Sequence, residues 1–360
     1  MRRFRLLAAG ASVAALVLSA CAGPSAQPTS APAPPTQAPA KPAAASPAAS
    51  PAASPAASPS PSPAAKPAAS PAASPAASPS PVAAGGPKPT VKMGSANFPE
   101  QVVLGELYSQ ILEANGYTIE RHLNLGTREI VEPALESGQI DMYPEYLATA
   151  ERFVAKDASK ASSDPAATAQ ALQEVLRPKN ITVLAFSQAV DQNGFAVTKE
   201  TADKYKLSKM SDLTPVANQL VLGAPPECPQ RPFCIPGLMQ TYGLNFKEFK
   251  PLDAGGPLTV AALEAGQIDV GLLFTTDPNI ALKGFVELED DKHLQLADNV
   301  APIVRNDILN RGPDLRMLAD RVSQTLTTAD LIDLNKQVGL DRRDAKDVAA
   351  AYLRSKNLIR

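Results

Sequence analysis

Beyond about residue 90, short runs of alternating apolar and polar residues give way repeatedly to segments with helical spacing. "VKMG" at 91–94 and "TIERHL" at 118–123 read as strands, the second placing Ile119, Arg121 and Leu123 on one face. Between them Val103, Leu107 and Ile111 recur as on one side of a helix. Ile130, Val131, Ala134 and Leu135 then form a helical stripe that stops at Gly138, a residue suited to a left-handed C-terminal position. The order returns later: a strand at Gln219–Gly223, a helix from near Pro236, a strand with Phe246 and Phe249, a helix with Leu258, Ala262 and Leu263, and a stop at Gly266. Strand, helix, strand in this succession predicts parallel crossovers.

At one point the return is literal. "ALESGQID" at 134–141 and "ALEAGQID" at 262–269 agree at seven of eight places, 128 residues apart. Extending the alignment brings Gly116 and Gly243 into register with one inserted residue. A unit this long is no solenoid repeat and predicts two similar α/β lobes. Between the copies lie "FAVT" and a short helix near "TADKYKLSKM", and after them "ADNVAPIVRND" reads as a return crossing. The C-terminal stretch is amphipathic helix, with Leu315, Leu318, Val322 and Leu326 in near-helical register and a Thr cap before "ADLIDLN".

The amino terminus has another character. "MRRFRLLAAGASVAALVLSAC" has a basic start, a short apolar run and small residues before Cys21, which makes residues 1–20 a secretory signal. "LSAC" resembles the lipobox of bacterial lipoproteins, which implies cleavage before Cys21 and its acylation; plain secretion is the alternative. From Pro24 to Pro89 the chain carries 20 of its 36 prolines in an Ala/Ser/Pro near-repeat, too poor in large apolar residues to offset the entropy of ordering. Residues 21–89 are therefore expected to be an anchor and a tether, roughly 45 Å long as a coil and roughly 200 Å if extended. The rest is long enough for two lobes with real cores.

A net charge of −2 offers no basic face for nucleic acid or for a polybasic membrane contact. With Cys21 acylated, Cys228 and Cys234 are left to close the loop "CPQRPFC" as a disulfide in an oxidising compartment; two free buried thiols are the alternative. Asp141, Glu145, Asp191, Asp269, Asp277 and Asp298 are acids near strand ends, but only two histidines occur, His122 and His293. No HExxH, CxxC, GxSxG or phosphate-cradling loop is present, so no catalytic residue, metal or cofactor is expected. Asp141 and Asp269, equivalent in the repeat, are expected to be strand-end hydrogen-bonding groups. Open α/β sheets instead present ligand loops at the carboxyl ends of their strands, where "GSANF", "YPEY", "QRPF" and "FTTDP" gather polar and aromatic residues.

"VKMGSANFPEQVVLGELYSQILEANGY", "GTREIVEPALESGQIDMYPEY", "GAPPECPQRPFCIPGL", "GQIDVGLLFTTDP" and "APIVR" together resemble the substrate-binding proteins of glycine betaine, choline and related osmoprotectant ABC importers, over nearly all of residues 91–360. The resemblance implies a type II periplasmic-binding-protein fold, α/β with two mostly parallel sheets joined by two hinge crossings. Lobe 1 would comprise 90–192 and 300–360, and lobe 2 193–299. It implies a monomeric extracytoplasmic protein that closes on a small quaternary ammonium or related cation or zwitterion and delivers it to an ABC permease. A ligand-binding lipoprotein that senses or recruits without transport is the alternative, and an enzyme on the same scaffold a weaker one.

Relatives cage the cation with aromatic rings, because a quaternary ammonium has no hydrogen to donate and is held by π faces. On that pattern Tyr146 matches a cage tyrosine, Thr149 a polar contact, Arg231 the anion-binding arginine and Phe274 a usually aromatic position. Phe98, opening the first helix, is equally suited to packing and to binding, and Tyr143 to core and to cage. Two crossings depart from the pattern: "DQNG" puts Asn193 near one tyrosine position, and "ADN" puts Asp298 at another. Asp191 and Asp298 are expected to replace the lost rings and to favour cations that donate hydrogen bonds. A carboxylate about 4 Å from a cation is worth roughly 4 kcal/mol at an effective dielectric near 20, before desolvation.

Overall fold

The computed structural model describes residues 87–360; the signal segment, Cys21 and all but the end of the tether lie outside the described residues. Two five-stranded sheets organise what is described. The first holds β1 (Thr90–Ala96), β2 (Thr118–Gly126), β3 (Met142–Tyr146) and β4 (Ile181–Val183). The second holds β5 (Asn193–Val197), β6 (Val221–Ala224), β7 (Glu248–Pro251), β8 (Val270–Phe274) and β9 (Val286–Glu287). The last strand, β10 (Val300–Arg305), returns to the first sheet.

Strand order is β2-β1-β3-β10-β4 in one sheet and β7-β6-β8-β5-β9 in the other. In each, three strands run parallel through helical crossovers, and a fourth, antiparallel to both neighbours, separates them from the edge strand. That fourth strand is always the one arriving from the other lobe. The apolar/polar pattern predicts the parallel units but not this exchange, because strand direction leaves no trace in side-chain alternation.

The duplicated phrase has a duplicated geometry. In the first lobe Asp141 N–H donates to the carbonyl of Lys92 at 2.8 Å, while Asp141 Oδ2 accepts from Lys92 N–H at 2.9 Å. In the second, Asp269 N–H donates to the carbonyl of Val221 at 2.9 Å, and Asp269 Oδ2 accepts from Val221 N–H at 2.8 Å. Each aspartate thus fastens the start of one parallel strand to its neighbour. Gly138 (φ +78°) and Gly266 (φ +64°) turn the chain out of the preceding helices, and Ile140 and Ile268 then pack on Gly94 and Gly223. A Cβ on Gly94 would lie 2.4 Å from Ile140 Cδ1, and one on Gly223 2.5 Å from Ile268 Cδ1, so a side chain at either position would force the isoleucine to move.

Helices α1 (Pro99–Glu113) and α2 (Arg128–Ser137) supply the first lobe's crossovers, and α3 (Leu147–Ala155) follows β3 directly. Pro99 sits at the first position of α1, where a missing N–H costs nothing. The apolar side of α1, from Val103 to Leu112, is covered by the C-terminal helices through Leu315, Leu318, Val322, Leu331 and Leu353. Thr327 caps the helix Thr328–Asn335 in a reciprocal box with Asp330. Two expected core positions fall outside. Ile130 and Leu258 are 54% and 61% exposed, each in the first turn of its helix.

The two crossings run side by side. Val190 bridges Asn299 in antiparallel fashion, Val300 N–H donates to the carbonyl of Ala189, and Asp191 N–H donates to that of Asp298. Among the described residues no helix is long and apolar enough to cross a membrane. Removing either strand clamp leaves a half-buried N–H without its acceptor. Asp141→Ala and Asp269→Ala should therefore each destabilise the fold by about 1–3 kcal/mol in urea unfolding, and by similar amounts.

Candidate functional site

Because parallel strands end on the same side of a sheet, the carboxyl ends of β1, β3, β6 and β8 all open toward the space beside the crossings. A cleft of about 440 Å³ lies there, within the size range of small-molecule sites. Phe98, Tyr146, Thr149, Asp191, Asn193, Arg231, Phe274 and Asp298, the residues singled out from the sequence, all line it.

Three of them form a ring cluster drawn from both lobes. Phe98 caps α1, Tyr146 ends β3, and Phe274 ends β8 in the other sheet. The Phe98 ring lies 6.2 Å from Tyr146, nearly parallel at 22°, and 5.2 Å from Phe274 at 34°. The Tyr146 hydroxyl donates to Glu100 Oε1 at 2.6 Å, which turns the phenol's polar end into the protein. Tyr143 is buried and hydrogen-bonds Glu132 and Glu145 through its hydroxyl. Two rings escape the sequence reading: Phe153 and Phe233 also line the cleft. Phe153 follows Tyr146 by seven residues on α3, a spacing that could have found it, whereas Phe233 depends on how the disulfide loop folds.

The acids are engaged rather than bare. Asp298 Oδ1 accepts from Thr149 N–H at 2.8 Å, and burial pushes its pKa up to about 7. Asp191 Oδ1 lies 2.9 Å from Thr276 Oγ1, which also lies 2.7 Å from Glu100 Oε2. Thr276 has one hydroxyl hydrogen for two carboxyl oxygens, so the second contact calls for a proton on Glu100 or Asp191. Burial, the largest cause, raises both acids above the ordinary carboxylate range, and for Asp191 the neighbouring Glu100 adds to it. The shared hydroxyl and the burial both favour a proton on this pair. Asn335 Nδ2 donates to Glu100 Oε2 at 2.6 Å, tying the C-terminal helices to the same cluster. Asn193 opens β5 opposite Phe274, its amide donating to the carbonyl of Phe233 at 3.1 Å.

The disulfide Cys228–Cys234, with Cα atoms 5.3 Å apart, holds the loop that carries Arg231. Arg231 reaches across the cleft mouth to Glu129 of α2, with Nε to Oε1 at 3.0 Å and Nη2 to Oε2 at 2.9 Å. Its guanidinium fork is thus occupied by a carboxylate of the other lobe. Arg128, which the sequence did not single out, forms the fork-to-fork pair with Glu145 at 2.5 and 2.8 Å and also donates to Thr149 Oγ1 at 2.8 Å. Asp141 and Asp269 lie away from the cleft in the strand clamps. Among the described residues no group of three or more His, Cys, Asp or Glu is placed to hold a metal ion.

Residues 89–355 match the family OpuAC, the substrate-binding domain of ABC-type glycine betaine transport systems. The chain belongs to the OpuAC family. The glycine betaine-binding protein YehZ of Escherichia coli K12 is 29% identical over 276 residues, 74% of this chain and 90% of that protein. The glycine-betaine-binding protein of Pseudomonas aeruginosa is 27% identical over 281 residues, 75% of this chain and 89% of that one. A solved structure titled glycine betaine/carnitine/choline ABC transporter superposes with a TM-score of 0.61 at 24% identity, covering 75% of this chain and 99% of that chain, which speaks for the fold. The two-lobe type II architecture of OpuAC proteins accounts for the paired sheets and the exchanged antiparallel strands.

The buried Asp298 carries a pH signature. Its folded pKa of about 7 exceeds the ordinary Asp value, so the folded state holds a proton that the unfolded chain releases between roughly pH 4 and 7. The stability from this group is full below about pH 4 and is lost as pH rises through about 7. Asp298→Asn keeps an oxygen for Thr149 N–H and removes the titration. Relative to that variant, the wild type should lose about 2–4 kcal/mol between pH 4.5 and 8 in urea unfolding; parallel pH profiles would contradict the assignment.

Proposed function

We propose that this protein captures a small cationic or zwitterionic osmoprotectant in the cleft between its lobes, outside the cytoplasm, and delivers it to an ABC permease. In this reading residues 90–192 and 300–360 form one lobe and 193–299 the other, and a lipid on Cys21 holds the protein to its membrane. The observation that carries it is the cluster of Phe98, Tyr146 and Phe274, three rings, two of them ending strands of different sheets, meeting in one cleft. Rings facing one another across a hinge give a cation a binding surface that is complete only when the lobes are together. Asp298 on the second crossing adds a negative charge that is present above about pH 7. Membership in a family of transport substrate-binding domains supports a binding role over a catalytic one.

Titration calorimetry with glycine betaine, choline and carnitine is the direct test. At least one should bind, and Phe274→Ala should weaken it about 5- to 30-fold, the worth of one ring on a cation. Choline affinity should rise from pH 6 to pH 8 as Asp298 ionises, and Asp298→Asn should flatten that rise. A folded protein that binds none of the three would overturn the proposal.

A further inference from the structure

Four cations line the cleft: Arg128, Arg152, Lys156 and Arg231. Two are already neutralised. Arg128 is locked on Glu145, and Arg231 faces Glu129 with Glu227 behind it at 3.8 Å. Lys156, just past the end of α3, is exposed, so its ammonium stays in water. Arg152 differs from all of these. It is partly buried, and among the described residues its side chain makes no ion pair and no hydrogen bond. Its Cζ lies 5.9 Å from the centroid of the Phe233 ring, which belongs to the other lobe. A guanidinium held by a ring keeps its N–H donors for another partner, and those donors match a carboxylate in a two-point fork.

We propose that Arg152, rather than Arg231, holds the carboxylate of a zwitterionic ligand, and that the cleft thereby prefers zwitterions whose charges lie several bonds apart. The inference rests on the cleft being the solute site. Helix α3 supplies the measure. Tyr146, at its start, belongs to the ring cluster, and Arg152 follows six residues later, about 9 Å along the axis at ~1.5 Å per residue. Thr149 and Phe153 lie between and beside them on the same wall of the cleft. A cationic head on Phe98, Tyr146 and Phe274 and a carboxylate on Arg152 would therefore run along α3 from floor to mouth. Asp191 and Asp298 lie on the crossings, and the unpaired guanidinium lies against the Phe233 ring. Glycine betaine places its carboxylate two bonds from nitrogen, whereas carnitine places it four bonds away and reaches further toward Arg152. Arg231 is left as the inter-lobe clasp, drawing the mouth shut on Glu129 whatever the ligand carries.

The test is calorimetry on the full chain with carnitine, glycine betaine and choline as probes, choline being the cation without a carboxylate. Wild type should bind carnitine more tightly than glycine betaine. Arg152→Gln should weaken carnitine about 10-fold or more while changing choline less than about 3-fold, and the retained choline binding certifies the fold. Arg231→Gln should weaken carnitine and choline alike, as loss of a clasp does. Equal losses of carnitine and choline in Arg152→Gln, or a selective loss of carnitine in Arg231→Gln, would sink this assignment while leaving the solute-binding reading intact. A wild-type chain that binds none of the probes overturns that reading and this inference with it.

Discussion

The structure depends on the chain passing between its two sheets twice and on those two passages lying hydrogen-bonded side by side. Each passage ends in an antiparallel strand, β5 or β10, that pairs with the last parallel strand of the sheet it enters, β8 or β3. The carboxyl ends of both sets of parallel strands are thereby turned toward one space. Between the sheets the backbone link is narrow, a pair of passages bridged at Val190 and Asn299, and each sheet keeps its own core. Asp191 and Asp298 sit on the passages themselves, so groups lining the cleft also sit at the pivot.

Proton sharing governs the charge at that pivot. Glu100 and Asp191 meet on one threonine hydroxyl, and a buried pair of acids retains a proton because two desolvated charges so close together repel. Counting each aspartate in the sequence as a full negative charge therefore overstates the charge of the cleft. The cleft of this OpuAC protein combines phenylalanine and tyrosine rings with carboxyl groups whose ionisation depends on burial. Rings accept any ammonium, whereas carboxylates reward one that can donate hydrogen bonds.

Much of the candidate cleft's lining was legible because its residues stand at joints that sequence patterns mark. Tyr146 and Phe274 follow the two copies of the repeated phrase, and Asp191 and Asp298 fall where one lobe's pattern stops and the other's begins. Residues whose role depends on a distant partner were less visible. The resemblance assigns Arg231 to an anion, yet Glu129, 102 residues away in sequence, occupies its guanidinium. Arg152 on α3 had no distinguishing neighbour in sequence, and only the approach of Phe233 from the other lobe sets it apart.

The sequence by itself determined the two-lobe plan, the paired Gly-Gln-Ile-Asp turns and the position of the cleft along the chain. Those features arise from short-range constraints: alternation, helical spacing, a left-handed glycine, and an aspartate reaching its neighbouring strand. Tertiary structure alone decided which strands run antiparallel, which cations are neutralised and which acids keep a proton. Those outcomes depend on burial and on through-space contacts between segments far apart in the chain, where a charge's surroundings, not its residue type, set its energy.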